Sequence, residues 1–157
     1  MKLVTLQKEE VIEILKKEKE YLPNASYNLI PEVYEEMFRY YNKINSTNIN
    51  SAIWLWYKVN WIRTNKLPDK ETLSQMKNFY NDEKKTVALL LEVPDEVCYL
   101  TDAYAWGSYA ADTKEERLLN PYIWDAKVDW EKEVDFVQAI IPTIKPEYLI
   151  DYKKVEC

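Results

Sequence analysis

Apolar positions along this chain change period several times, and each change marks an element. KLVTLQ (Lys2 to Gln7) is a short β-prone run, whereas in the KEEVIEILKKEKEY that follows Val11, Ile12 and Leu15 recur at helical spacing among charges. A strand feeding an amphipathic helix is the expected opening. After Pro23 and NASYN break the pattern, IPEVYEEMFRYYNKI puts Ile30, Val33, Tyr34, Met37, Phe38 and Tyr41 on one helical face, with Pro31 suited to the first turn. A polar loop, NSTNIN, leads into SAIWLWYKVNWI. There the period is two: Ile53, Leu55, Tyr57, Val59 and Trp61 share one face, and Trp54, Trp56, Lys58 and Asn60 the other, which predicts a strand with both faces used.

Further on, the spacing predicts a short helix from about Asp69 to Phe79, then a central strand from Val87 to Val93 stopped at Pro94. A second short strand, Val97 to Thr101, brings the chain to Asp102. AYAWGSYAADTKEERLLN is helix-compatible, with Asp102 as N-cap and Gly107 as a weak point. Past a loop holding Pro121, Trp124 and Trp130, a strand is expected from about Glu133 to Ile141, then a turn in PTIKPEYLI and a last strand in YKKVE. Strands and helices mix without strict βαβ alternation. That favours an α+β fold, a mixed and mainly antiparallel sheet, split or continuous, flanked by helices. A length of 157 residues with 47% hydrophobic composition suits one globular domain spanning 1–157.

Composition then removes whole chemistries. The chain has no histidine and one glycine, Gly107. Nucleophile pairs built on imidazole, glycine-rich phosphate loops and dinucleotide fingerprints are thereby excluded, and most transition-metal sites lose their usual ligand. Carboxylate, amide, hydroxyl and aromatic chemistry remain, with no metal expected. Twenty-seven acidic against twenty-one basic residues leave a net charge of −6, the wrong sign for following a phosphate backbone, so nucleic acid is a disfavoured partner. Cys98 and Cys157 suggest neither a zinc site nor a disulfide framework, and no apolar run is long enough for a membrane span, so a cytoplasmic protein is expected.

Four stretches, LVTLQKEEVIEIL, AIWLWYK, EVPDEVCYLTDAYAWGSY and FVQAIIPTIKPEYLIDYKKV, resemble in order and spacing a family of uncharacterised bacterial and phage proteins known as domain of unknown function 3841. The resemblance covers most of the chain and implies no activity. The opening strand and helix and the closing IPTIKPEYLIDYKKV are also similar to the ADP-ribosyltransferase-like superfamily. That likeness implies a split antiparallel sheet with NAD in its cleft. It also implies a glutamate late in the sheet that steadies positive charge on the ribose in an oxocarbenium-like transition state. Gln138 falls near that place, where an amide accepts a hydrogen bond but supplies no charge. Thr5 or Gln7 would contact the nucleotide from the first strand, and Asp102 or Glu133 would supply a carboxylate.

Each of these residues has a structural reading beside the functional one. Gln138, on one face with Phe136 and Ile140, is either a cleft residue or a satisfied buried amide. Trp54 and Trp56 either stack a planar ligand, beside polar Lys58 and Asn60, or belong to the core. Asp102, Trp106 and Tyr109, spaced i, i+4 and i+7, make either an aromatic-framed carboxylate or an N-cap with two packing rings. Three readings follow: an NAD- or ADP-ribose-binding domain, catalytic or degenerate; a non-catalytic module that binds a protein partner, such as a phage or mobile-element inhibitor; or a structural domain whose aromatic residues serve only its core.

Overall fold

Strand β1 (Lys2–Gln7) is buried from Leu3 to Gln7, so both of its faces are covered and it must lie inside a sheet. In the computed structural model, which describes residues 1–23, 31–79 and 84–155, it does. On one side β4 (Val87–Glu92) pairs with β1 along its whole length, from Lys2 opposite Glu92 to Gln7 opposite Val87. On the other side β2 (Ile53–Val59) meets it at one register position, Val4 opposite Trp56. The sheet continues from β2 through β6 (Val137–Ile141) to β5 (Tyr99–Asp102), and from β4 to β7 (Leu149–Lys154), while β3 (Ile62–Arg63) folds back on β2. All these pairings are antiparallel, in the order β5-β6-β2-β1-β4-β7. The fold is therefore α+β around one continuous sheet, pinched between β1 and β2.

Among the described residues five helices complete it: α1 (Glu9–Lys16), α2 (Pro31–Asn45), α3 (Lys70–Phe79), α4 (Ala103–Ala111) and α5 (Lys114–Leu119). Val11, Ile12 and Leu15 of α1 pack on the face that carries Leu3, Leu55, Leu89 and Ile141. The opposite face carries two clusters. Leu73 and Met76 of α3 cover Val4, Leu6, Trp56 and Leu90, and α2 and α4 bring Met37, Tyr41 and Trp106 against Ile140 and Trp54. Removing this apolar surface from water is the main favourable term holding the layers together.

Several sequence expectations are met within a residue or two. Asp69 accepts the Thr72 amide at the start of α3, Asp102 accepts the Tyr104 and Ala105 amides at the start of α4, and residues 146–148 make a single helical turn. Ile30, NASYN, Glu156 and Cys157 lie outside the described residues.

Three boundaries differ. The helix after Asp102 stops at Ala111 and restarts at Lys114, because Thr113 and Glu116 form a reciprocal capping box that favours a new N-terminus. The alternation of β2 breaks at a register shift between Trp56 and Lys58, so Lys58 stands opposite Val137 and Val59 joins the cluster of Trp56. Asn60 and Trp61 then take positive φ angles of 48° and 67° in the tight turn to β3. Finally, β6 starts at Val137, since the residues before it form a turn.

Helix α1 ends in a Schellman motif: the Glu18 amide donates to the Leu15 carbonyl and the Lys19 amide to that of Ile14. Glu18 holds φ 58° there, a left-handed conformation that glycine adopts without penalty. Glu18→Gly is expected to stabilise the protein by about 0.5–1 kcal/mol in urea denaturation. A loss of stability would show that the Glu18 side chain does more than tolerate the turn.

Candidate functional site

Cross-strand register decides which of the sequence-derived residues can meet. Gln138 pairs with Trp56 on one side and Thr101 on the other, so it projects from the face that carries Trp54 and Trp56. It lies at the seam between the α3 cluster and the α2–α4 cluster and is only 1% exposed. Thr5 and Gln7 alternate with Val4, the partner of Trp56, and so occupy the reverse face. There the Gln7 Nε2 donates to the Thr5 hydroxyl at 2.9 Å, and Thr5 donates to the Trp54 carbonyl at 2.8 Å. This short relay ties β1 to β2 where their ladder is sparse.

The tryptophans are packed. Trp54 lies 6.0 Å from Trp106 and 6.2 Å from Tyr34, centroid to centroid, and Trp56 lies 4.9 Å from Phe79. Trp106 is buried among them. Glu133, the other candidate carboxylate, is exposed and accepts the Asp129 amide. Asp102 and Tyr109 are the two sequence-derived residues that line concave surface.

That surface is a groove of about 650 Å³ between β5, α4 and residues 120–134, within the range of about 300–1,000 Å³ that small-molecule sites occupy. Asp102, Ser108, Tyr109, Asn120, Tyr122 and Trp124 supply most of its chemistry. Asp102 is there because it ends β5 and caps α4, and Tyr109 because it lies two turns along that helix. The Tyr109 hydroxyl donates to both carboxylate oxygens of Glu36 on α2, at 2.6 and 2.8 Å, and the Trp124 indole N–H donates to Glu36 Oε1 at 3.2 Å. The Tyr99 hydroxyl fixes the same loop by donating to the Trp124 carbonyl at 2.7 Å. Tyr122 sits 4.5 Å from Trp124 and 5.4 Å from Tyr109 between ring centroids, giving a continuous aromatic wall.

Burial, reinforced by Glu36, pushes the Tyr109 phenol up to about 12, and burial with the charge of Asp102 does the same to Tyr122. Both rings are therefore neutral hydroxyl donors at neutral pH. No lysine or arginine is among the described lining residues, and the ammonium of Met1 at one end is taken by the Asp95 carboxylate at 2.7 Å and the Val93 carbonyl. The sequence contained no local sign of Glu36, whose partners are 73 and 88 residues away.

Lys58 anchors the far wall. Though expected on a polar strand face, it is 1% exposed, and its ammonium donates to the carbonyls of Trp130, Glu131 (2.7 Å) and Val134 (3.0 Å), with the Trp61 ring centroid 5.3 Å away. Those carbonyls belong to a helical turn in which Asp129 accepts the Lys132 and Glu133 amides. A turn of this kind gathers partial negative charge at its carbonyl end, and three N–H bonds on one lysine match it. Trp130 and Val134 also line the groove, so Lys58 holds the groove's shape from beneath.

Burial pushes the Cys98 thiol up to about 12, which leaves it un-ionised and a poor nucleophile. Among the described residues no group of three or more His, Cys, Asp or Glu side chains is placed to hold a metal ion, and no helix is long and apolar enough to cross a membrane. Comparisons with protein-family models, with curated proteins and with solved structures found no match.

Proposed function

We propose that the chain is a ligand-binding domain that uses the groove between β5 and α4 and performs no ADP-ribosyl transfer at Gln138; the strand residues Thr5 and Gln7, which an ADP-ribosyltransferase-like design would use for binding, lie on the reverse face. The observation that carries this reading is the contrast in access. Asp102 is partly exposed on a concave aromatic surface that the largely buried Tyr109, 7% exposed, also lines, while Gln138 is 1% exposed in a closed seam. An amide adds no negative charge against a developing oxocarbenium, and an enclosed one does not reach a ribose. The pinched joint between β1 and β2 supports the likeness to a split sheet. NAD and ADP-ribose are the first ligands to try. A protein partner is the second reading, favoured by Leu118, Leu119 and Ile123, which are 67–80% exposed, Ile123 lining the groove and the two leucines directly preceding its lining residue Asn120.

The test is a thermal-shift and calorimetric titration with NAD, ADP-ribose and their parts, on the wild type and on Ser108→Trp. Ser108 is exposed on α4 and lines the groove, so an indole there fills the site without entering the core. At NAD concentrations about tenfold above Kd, the melting temperature is expected to rise by roughly 3–5 °C in the wild type and to stay unchanged in the variant. Release of nicotinamide from NAD above the buffer rate would overturn the binding-only reading. Equal shifts in both proteins would move the site elsewhere.

A further inference from the structure

Resting on the groove as the binding site, we infer that the part of the ligand that enters it is an organic cation, a quaternary ammonium or an N-alkylated aromatic ring. Charge and surface type both point this way. The wall is aromatic, built by Tyr109, Tyr122 and Trp124, and such faces present negative quadrupole to a cation within about 6 Å. The Tyr109 hydroxyl and the Trp124 N–H are both donated to Glu36, so the anion behind the wall enriches the two rings it touches. On the groove's own surface stand the carboxylates of Asp102 and Asp112.

The possible counter-charges are small or already used. Asp102 caps α4, but a helix N-terminus carries only roughly half a positive charge against the full negative charge of the carboxylate. The Met1 ammonium is engaged by Asp95, and the Arg117 guanidinium is turned to the Asp112 carbonyl and to Glu32. A phosphate or carboxylate entering here would meet like charge and no basic partner. The neutral Tyr122 phenol adds a hydroxyl donor without changing the sign of the field.

A dinucleotide with a cationic ring is then accepted by that ring, with its diphosphate left in water, and ADP-ribose, which lacks the ring, is refused. Choline and other small ammonium compounds share the chemistry of the accepted head.

Two isosteric pairs test the inference by calorimetry on the whole chain: choline against 3,3-dimethylbutan-1-ol, and 1-methylnicotinamide against 3-methylbenzamide. In each pair the cation is expected to bind about tenfold more tightly than its neutral isostere. Asp102→Asn keeps an effective N-cap while removing the charge, so it is expected to weaken the cation several-fold and leave the neutral isostere unaffected. If both members of each pair bind equally and Ser108→Trp abolishes both, the site stands and its preference for cations is overturned. Preferred binding of ADP-ribose, or an unchanged cation affinity in Asp102→Asn, also overturns that preference. If no compound binds, the binding reading falls as well.

Discussion

Replacing Lys58 by methionine is expected to lower the melting temperature by about 10–15 °C, equivalent to roughly 3–5 kcal/mol. Methionine keeps most of the length and the apolar stem of lysine but offers no donor. The carbonyls of Trp130, Glu131 and Val134 would then face a thioether, the first two in part-buried places and the third in a buried one, and each buried acceptor left unpaired costs about 1–3 kcal/mol. Part of that cost is relieved if the turn rotates outward, which is why the sum is not simply tripled. Such a rotation would carry Trp130 and Val134 with it and deform the groove. The variant should therefore lose ligand affinity even well below its melting temperature. Lys58→Arg separates charge from shape: a planar guanidinium keeps the charge but fits a three-carbonyl cradle poorly, so intermediate stability is expected. A change of less than about 1 kcal/mol for Lys58→Met in chemical denaturation would show that the three bonds do not hold the turn.

Gln138→Glu has the second largest expected effect, and it depends on pH. The position is 1% exposed between Trp56 and Ile140, so desolvation would raise the folded-state pKa of a carboxyl there above its unfolded value of about 4.3. Below that value the acid is protonated in both states and nearly isosteric with the amide, so the variant should approach wild-type stability. As pH rises from about 4.3 towards the raised value, the unfolded state ionises first and the deficit grows, to about 2–4 kcal/mol at neutral pH. Equilibrium unfolding of both proteins from pH 4 to 8 reads this directly. The same variant should release no nicotinamide from NAD, since the charge would sit in a seam and not in the groove. A stability difference that does not change with pH would mean that the carboxylate has reached solvent. NAD hydrolysis would instead place residue 138 within reach of the ligand, where similar folds keep a catalytic glutamate.

Local patterns carried the fold a long way. β1, α1 and α3 were legible because their signals, alternation, helical spacing and an Asp cap, are complete within a few residues. The capping box at Thr113 and Glu116 was equally local, and it is the physical reason that one predicted helix became two. The bulge in β2 had no such sign. Its turn uses Asn60 and Trp61 where a tight hairpin ordinarily places glycine second, so the reversal is hidden inside an apolar run. Missing it put Lys58 on the wrong face.

The site suffered more, because sharing a face across strands depends on register. Thr5, Gln7 and Gln138 all read as polar residues in strands, and only the pairing of Val4 and Gln138 with Trp56 separates them. Asp102 and Tyr109 stayed together because one helix joins them. Glu36, which ties two of the three rings of the wall, is visible only once α2, α4 and the loop are assembled.

The sheet order also constrains the sequence of events during synthesis. β1 and β4 can pair once residue 92 has emerged, but the other edge of β2 waits for β6, and the ammonium of Lys58 waits for carbonyls 72 to 76 positions downstream. Until then the nascent chain carries an open strand edge and an unsatisfied charge next to exposed tryptophans, the kind of surface that chaperones bind. The groove is thus among the last features to exist, and any ligand it takes acts on a chain that has already finished folding.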